Sequence, residues 1–236
     1  MKKNHHGNKH LTTAFNEILP MLTKANIKYW VYGGVGIAGI AEKFFRTNQD
    51  IDIYVLNNDF NKVGKILKVL CEKHGGLDGD DWALQYSMTK RAKRPKLDLY
   101  IKGNELLSVI PIYITKKGVE FRVYQSFPLP KKALSQKLRK IGGFKFYSPP
   151  ADIILRLFRI YLEQVIICHK SPKPISRNWR NLIDAKTILP KKEIRQFIIR
   201  YNKKAKELVT SKKTEKSRLA KFLKKKNLVH SPSFNG

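Results

Sequence analysis

Apolar and polar residues alternate along the chain in patterns that predict short strands separated by helices. Residues 11–25 form one helical apolar stripe, in which Pro20 predicts a kink or two short helices. A second helical stripe runs from a candidate cap, Asn58 or Asp59, to Leu70. Aromatic and β-branched runs predict strands at 28–32, 51–56, 82–88, 96–101, 109–114, 119–124 and 144–147.

The later part of the chain is predominantly helical in its pattern. A basic helix is expected at about 131–140, and Pro149-Pro150 ends the strand-rich region. A long helix with an apolar face follows, and further helices are expected at about 178–189, 191–209 and 213–226. The pattern predicts an α/β (α+β) fold with a small mixed sheet over residues 1–147 and a helical C-terminal domain with a basic tail over residues 148–230.

The charge of the chain is extreme. Its 236 residues contain 48 Lys and Arg against 18 Asp and Glu, a formal net charge of +30. Such a charge attracts polyanions such as nucleic acid, although a generally basic proteome would give the same composition. No apolar run is long enough to span a membrane, no signal peptide is recognisable, and the two cysteines are far apart. We therefore expect a cytoplasmic protein without membrane contact.

Three aspartates lie in segments that are otherwise apolar. Asp50 and Asp52 are two residues apart at the start of a predicted strand, so their side chains lie on one face. Asp98 interrupts a second strand in the same way, and if the two strands are neighbours the three carboxylates converge. Such carboxylates repel one another unless a cation lies between them, and oxygen ligands favour Mg²⁺ or Mn²⁺. Three carboxylates can hold two metal ions about 4 Å apart for phosphoryl or nucleotidyl transfer.

A glycine pair precedes these carboxylates. Gly33 and Gly34 end the strand predicted at 28–32 and open a short predicted helix. Glycines at a turn between strand and helix let the backbone approach a phosphate, and the first amides of the helix form an anion site. No Gly-Lys-Ser/Thr follows, which excludes a P-loop. Each motif is weak alone, but a strand, a glycine pair, Asp-x-Asp and a later isolated Asp together indicate a metal-dependent phosphate site.

The stretch "YWVYGGVGIAGIAEKFFRTNQDIDIYV" (29–55) resembles the nucleotidyltransferase superfamily, which has the DNA polymerase β-like fold. It is particularly similar to the aminoglycoside and lincosamide nucleotidyltransferases and to the abortive-infection type IV toxin nucleotidyltransferases. Both groups share an Arg-Thr-x-x-Asp-Ile-Asp ending, which Arg46, Thr47, Asp50 and Asp52 match. The resemblance covers residues 11–56 and extends with less similarity to Asp98.

The resemblance implies roles for these residues. Asp50 and Asp52 would be Mg²⁺ ligands, and Asp98 would be a third ligand or the base that takes the proton from the acceptor hydroxyl. The NTP would be contacted by Gly33, Gly34, Arg46 and Thr47. For Arg46, the sequence is equally consistent with a solvated turn residue. A loose match to the toxins' Arg-Asp-x-x-Asp-Leu element falls at Arg180, Asn181 and Asp184, where Asn181 departs from the pattern.

A basic segment leads directly to Asp98. Its side chains could guide a polyanion toward the metal site; they are Lys90, Arg91, Lys93, Arg94 and Lys96. No recognisable RNA-binding module accompanies it.

Two classes of function follow. The first is a Mg²⁺-dependent enzyme that moves a nucleoside monophosphate from an NTP such as ATP to an acceptor hydroxyl. The net charge favours RNA, most of all a tRNA end, in a toxin-like enzyme with an antitoxin partner; an antibiotic or a protein is the alternative acceptor. The second class is a catalytically inert RNA- or nucleotide-binding module on the same fold. The presence of Asp50, Asp52 and Asp98 favours activity.

Overall fold

A computed structural model of the chain describes residues 7–75, 81–88, 95–121, 127–168 and 173–225. This part contains nine strands: β1 (Tyr29–Val31), β2 (Ile51–Leu56), β3 (Trp82–Met88), β4 (Pro95–Ile101), β5 (Asn104–Thr115), β6 (Gly118–Phe121), β7 (Phe127–Leu129), β8 (Lys137–Ile141) and β9 (Phe144–Ser148). It also contains six α-helices: α1 (Leu19–Lys24), α2 (Gly33–Ile40), α3 (Asn57–Lys73), α4 (Ala151–Ile167), α5 (Arg180–Ile188) and α6 (Lys191–Lys225). Shorter helical segments span Lys9–Leu11, Ala14–Ile18 and Lys131–Leu134. These elements confirm the predicted mixed α/β class.

Seven strands form one mixed sheet. Its main order is β1-β2-β5-β4-β3, with β6 and β7 continuing from β5. Only β2 and β5 pair in parallel among the described strands, and the other neighbours are antiparallel. Strand β5 therefore lies between β2 and β4, the two strands that carry the predicted catalytic aspartates. Strands β8 and β9 form a separate hairpin.

One face of the sheet packs against α3 and forms the main core. Ile51, Ile53 and Val55 of β2 are fully buried, whereas Asp52 and Tyr54 alternate with them and are partly exposed. The buried stripe of α3 joins the same core; it consists of Phe60, Val63, Leu67 and Leu70. Because successive side chains of a strand point to opposite faces, burial of the isoleucines places Asp52 on the other face of the sheet.

The region around Pro20 contains two short helical segments, as predicted. A π-helical stretch covers Ala14–Ile18, and α1 begins at Leu19 with Pro20 in its first turn. Proline has no backbone N–H to donate, and the first turn of a helix is where that donor is not required. The change in helix type therefore accommodates Pro20 without breaking the apolar stripe that buries Phe15 and Leu22.

The prediction of a helix at about 131–140 was wrong. Lys131–Leu134 forms only a 3₁₀ turn, and Lys137–Ile141 is strand β8, paired with β9. The two strands are joined by Gly142 and Gly143, whose φ angles are +55° and +98°. A two-residue turn with positive φ at both positions matches the twist of a hairpin. The glycine pair was therefore a hairpin signal.

Other boundaries also differ from the predictions. Helix α3 has Leu56 as its N-cap, without a side-chain cap, so neither Asn58 nor Asp59 has that role. The helices expected at 191–209 and 213–226 form one continuous helix, α6. The strand expected at 109–114 is the longer β5, and residues 122–124 of the next predicted strand lie outside the described residues.

The chain divides into two compact units, Met1–Leu157 and Phe158–Gly236. The division falls inside α4, whereas the sequence placed a boundary at 147/148. Within the second unit, Arg159 donates to both carboxylate oxygens of Glu193, at 2.8 and 2.9 Å, and the ring of Trp179 stacks on that of Phe197. No helix of the described residues is both long and apolar enough to cross a membrane.

Asn8 fastens the N-terminal segment to the loop before β2. Its side chain is fully buried; the Nδ2 group donates to the carbonyl of Arg46 (2.9 Å), and Oδ1 accepts the backbone N–H of Asn48 (2.7 Å). His10 adds a contact from Nε2 to the carbonyl oxygen of Gln49, at 3.0 Å. These bonds hold the loop at residues 46–49, which leads into Asp50, against the N-terminal segment that contains Asn8 and His10.

We expect Asn8→Ala to lower the free energy of unfolding by about 2 kcal/mol, because it leaves the buried N–H of Asn48 and the carbonyl of Arg46 without this partner. Urea unfolding followed by circular dichroism measures the change. Asn58→Ala, at an exposed position in the first turn of α3, is the matched control and should shift stability by less than about 0.5 kcal/mol. Equal stability of the two variants would contradict a structural role for Asn8.

Candidate active site

Asp52 and Asp98 flank the same residue of the central strand. Ser108 of β5 is the register partner of Asp52 on β2 and of Asp98 on β4. The two aspartate-bearing strands are therefore not direct neighbours, which corrects the simplest arrangement expected from the sequence. Register partners point to the same face of a sheet, and Ser108 is a small, fully buried residue. Both carboxylates thus lie on one face, separated by about two strand spacings, or roughly 10 Å between Cα atoms.

A fourth carboxylate, that of Glu105, joins this face because of a β-bulge. The register between β4 and β5 shifts after Leu99, so that Tyr100 pairs with Glu105. In a regular strand Glu105 and Ser108 would face opposite sides, because they are three residues apart; one extra residue on β5 brings them to the same side. Ser108 Oγ lies 2.7 Å from Glu105 Oε1 and 2.6 Å from Asp98 Oδ1. Sequence reasoning missed Glu105, since periodicity does not reveal a bulge.

Lys96 lies among these carboxylates. Its ammonium nitrogen is 2.8 Å from Asp98 Oδ1 and 3.2 Å from Glu105 Oε1. The sequence had assigned Lys96 to a basic segment that guides a polyanion, but in the structure its charge is paired inside the site. The remaining residues of that segment, Lys90, Arg91, Lys93 and Arg94, lie outside the described residues.

Asp50 and Asp52 are destabilised as anions. Burial, followed by the charge of Asp50, raises the pKa of Asp52 to about 7. Burial and the charge of Glu105 also raise the pKa of Asp50. Both effects disfavour two ionised carboxylates close together, and an added cation next to them would remove the penalty.

The donor set fits a hard divalent cation. The groups around Asp50 and Asp52 are carboxylate oxygens, which Mg²⁺ and Mn²⁺ prefer. Among the described residues, no three His, Cys, Asp or Glu side chains are disposed as a complete metal cage, and Asp98 Oδ1 is already engaged by Lys96 and Ser108. Asp50 and Asp52 would therefore suit such a cation as a pair of ligands, a number that would leave positions for water and for a substrate phosphate.

The glycine pair packs directly on this aspartate. Gly33 has a φ angle of +61° and opens α2, and a Cβ at this position would overlap the carboxylate of Asp52. A Cβ on Gly34 would overlap the guanidinium of Arg46 and the Oδ1 atom of Asn48. The absence of side chains at both glycines thus lets the start of α2 lie against Asp52 and Arg46. The backbone amides at a helix start and the Arg46 guanidinium are both suited to bind phosphate.

Thr47 and Asn48 occupy different environments in the loop before β2. Thr47 is exposed; its carbonyl accepts a hydrogen bond from Arg46 Nη1 (2.9 Å), and its Oγ1 lies next to Gly7. Asn48 is buried, and its Oδ1 atom faces Gly34 without a hydrogen-bond partner among the described residues. The structure therefore brings Arg46 and Asn48 to the glycine pair and turns Thr47 toward the N-terminal segment.

The toxin-like element of the second half lies in the second unit. Asn181 Nδ2 donates to the hydroxyl of Tyr161 (2.7 Å), and Asp184 is buried in α5. These contacts are internal to the helical unit and stabilise the packing of α5.

Residues 14–99 match the family model of aminoglycoside-2''-adenylyltransferase. The segment includes the glycine pair, Asp50, Asp52 and Asp98. A search of curated protein sequences finds no match.

Solved structures give further similarities. The crystal structure of ANT(2'')-Ia in complex with adenylyl-2''-tobramycin is 12% identical, covers 81% of this chain and 96% of its own, and superposes with a TM-score of 0.50. The lincosamide antibiotic adenylyltransferase LnuA with lincomycin bound is 15% identical over 72% of this chain and 91% of its own (TM-score 0.46). An antigenic nucleotidyltransferase-like protein from Paracoccidioides brasiliensis is 15% identical over 92% of this chain and 94% of its own (TM-score 0.42).

The matched segment and the fold agree. The family model covers the residues that the sheet and α2 bring together, and the ANT(2'')-Ia structure has the same fold. The chain therefore has the nucleotidyltransferase fold, and the family match over residues 14–99 supports a nucleotidyltransferase enzyme.

Proposed function

We propose that this nucleotidyltransferase uses Mg²⁺ or Mn²⁺ to transfer a nucleoside monophosphate, with AMP as the first candidate, to a hydroxyl of a small cationic acceptor such as an aminoglycoside. The observation that carries this proposal is the acidic character of the site. Four carboxylates and one lysine share one face of the sheet in a chain whose net charge is +30. With Asp50 and Asp52 assigned to the divalent cation, Asp98 and Glu105 still outnumber Lys96, and this local charge favours a cationic acceptor over a polyanion.

The matched family supports the same acceptor class. Residues 14–99, which contain the three aspartates, match an aminoglycoside adenylyltransferase model, and the ANT(2'')-Ia complex contains adenylyl-2''-tobramycin. The global charge was the reason to prefer RNA from the sequence. The local charge now favours the antibiotic alternative, because unit charges within a few ångströms interact more strongly than charges spread over a solvated surface.

The nucleotide side of the reaction is assigned to α2 and the loop before β2. The first amides of α2, exposed by Gly33 and Gly34, bind the terminal phosphates together with Arg46. Asp50 and Asp52 would hold the divalent cation. When bound, this cation supplies charge neutralisation to the triphosphate and lowers the pKa of the attacking hydroxyl.

The acceptor side is assigned to Asp98. Its carboxylate takes the proton of the acceptor hydroxyl as that oxygen forms a bond to the α-phosphorus. The bond between the α-phosphorus and the bridging oxygen breaks, and pyrophosphate leaves in line with the attack. Since Asp98 Oδ1 is bound by Lys96 and Ser108, Oδ2 is the atom we assign to the proton.

A second candidate acceptor is an RNA end, in a toxin-like enzyme with an antitoxin partner. The observation in its favour is the net charge of +30, to which the lysine- and arginine-rich helix α6 contributes. The two candidates differ in acceptor and share the nucleotide site.

Transfer of a radioactive nucleotide to different acceptors decides between the two candidate functions. Purified protein with Mg²⁺ and each α-³²P-labelled NTP is incubated with tobramycin, lincomycin, total cellular RNA or total protein. We expect label in tobramycin. Label in an RNA band instead would support the second candidate, and no transfer to any acceptor would support an inert nucleotide-binding module. Asp52→Asn is the inactive control.

Substitutions of Asp52 and Asp98 should affect different properties of the enzyme, metal binding in the first case and the chemical step in the second. We expect Asp98→Asn to lower kcat by about 10²- to 10⁴-fold, because it removes the acceptor of the hydroxyl proton, and to leave binding of Mn²⁺ and ATP nearly unchanged. Asp52→Asn should weaken Mn²⁺ binding in addition to activity, because it removes a ligand. Calorimetric titration of Mn²⁺ in the presence of a non-hydrolysable ATP analogue separates the two. Equal weakening of Mn²⁺ binding in both variants would instead make Asp98 a metal ligand.

Gly34→Ala tests the close approach of α2. The added methyl overlaps Arg46 and Asn48, so we expect the start of α2 to shift and the KM for NTP to rise by about 10- to 100-fold. Gly64→Ala, in α3, is the control, because its methyl would meet only a Leu97 side-chain methyl at 3.3 Å. Steady-state kinetics with varied NTP give the result. An unchanged KM for Gly34→Ala would argue against phosphate binding at this turn.

A further inference from the structure

We propose that Glu105 and Lys96 are positioning residues that orient Asp98 toward the acceptor hydroxyl. This inference rests on the proposed role of Asp98 as the proton acceptor. Neither residue is part of the Gly-Gly or Asp-x-Asp motifs, and Glu105 lies outside the segment that matches the family model.

The geometry around Asp98 is asymmetric. Lys96 Nζ lies 2.8 Å and Ser108 Oγ lies 2.6 Å from Asp98, and both contacts are made to Oδ1. Two partners on one oxygen fix the rotation of the carboxylate about its Cβ–Cγ bond. The other oxygen, Oδ2, is thereby held in one orientation for the acceptor. Preorganised orientation of a reacting group is a large source of rate enhancement, and small displacements are costly.

Glu105 completes a ring of four polar groups. Its Oε1 atom is 3.2 Å from Lys96 Nζ and 2.7 Å from Ser108 Oγ, the same two atoms that contact Asp98. The Ser108 hydroxyl has one proton and satisfies one carboxylate fully at a time, whereas the ammonium has three protons and can bond both. Glu105 therefore holds Lys96 in place, and Lys96 holds Asp98.

Burial makes this support necessary. Asp98 is only 5% exposed, and the Lys96 and Glu105 side chains are about one quarter and one third exposed. An ionised carboxylate at such a depth is stable only when it is paired. Lys96 supplies that pairing. Glu105 binds the ammonium group of Lys96 as well, and so keeps it beside Asp98 instead of letting the side chain turn into solvent.

The bulge after Leu99 is the structural device that permits the ring. Without the extra residue on β5, Glu105 would lie on the opposite face of the sheet from Ser108. The bulge thus has a specific consequence, which is to add a carboxylate beside Lys96 and Ser108, where its charge also acts on Asp50.

Kinetics of matched variants test the proposal, with tobramycin as acceptor, or whichever acceptor receives label. We expect Glu105→Gln to lower kcat by about 10- to 100-fold, the usual cost of losing an orienting partner, while the KM for NTP changes less than about twofold. Lys96→Met should have a similar effect, and Lys96→Arg should restore part of kcat because it keeps the charge. Glu163→Gln, which breaks the surface pair with Arg200, is the control and should leave kcat unchanged.

A double-mutant cycle distinguishes positioning from a separate effect on stability or binding. If Glu105 acts through Asp98, the variant with both Glu105→Gln and Asp98→Asn should be no slower than Asp98→Asn alone. Losses that multiply would overturn the proposal, as would an unchanged kcat for both Glu105→Gln and Lys96→Met. Weaker Mn²⁺ binding by Glu105→Gln would make Glu105 a metal ligand and would also overturn it. The proposed function survives each of these results; it fails together with this inference only if the wild-type protein transfers label to no acceptor.

Discussion

Mutual repulsion of carboxylates is the constraint around which the catalytic half of this protein is organised. Four of them lie on one face of the sheet, and burial makes each charge more expensive than it would be in water. The structure answers the repulsion in two ways. At Asp98, Lys96 lies in direct contact, whereas its charge only partly offsets the raised pKa of Asp50 and Asp52, and the proposed divalent cation would supply the remaining positive charge.

In the proposed function, this division separates the site into a nucleotide side and an acceptor side. The nucleotide side combines the start of α2, Arg46 and the Asp50–Asp52 pair, which are close because Gly33 and Gly34 carry no side chains. The proposed acceptor side is on β4 and β5, where Lys96 offsets one of the two carboxylate charges of Asp98 and Glu105.

Charge also illustrates why a global property is a poor guide to a local one. The net charge of +30 suggested a polyanionic acceptor, whereas under the proposed function the acceptor hydroxyl lies closest to Asp98 and its neighbour Glu105. Likewise, Lys96 belonged to a basic run in the sequence, but the alternation of β4 turns it toward Asp98 and Glu105. A lysine that the sequence assigned to a polyanion is in this way paired within the fold.

The sequence by itself determined the fold class, the strand β2 and the identity of three of the four carboxylates, because alternation and isolated polar residues in apolar runs are local signals. It predicted β9 but missed β8, and with it the hairpin that Gly142-Gly143 indicates, since the basic run at 131–140 was interpreted as a helix. Only the tertiary structure decided that β5 lies between β2 and β4 and that Ser108 of β5 is the register partner of both Asp52 and Asp98. It also decided that Glu105 lies on the same face as these aspartates. Strand order, register and bulges depend on contacts between distant segments, and these are not encoded in the periodicity of any one of them.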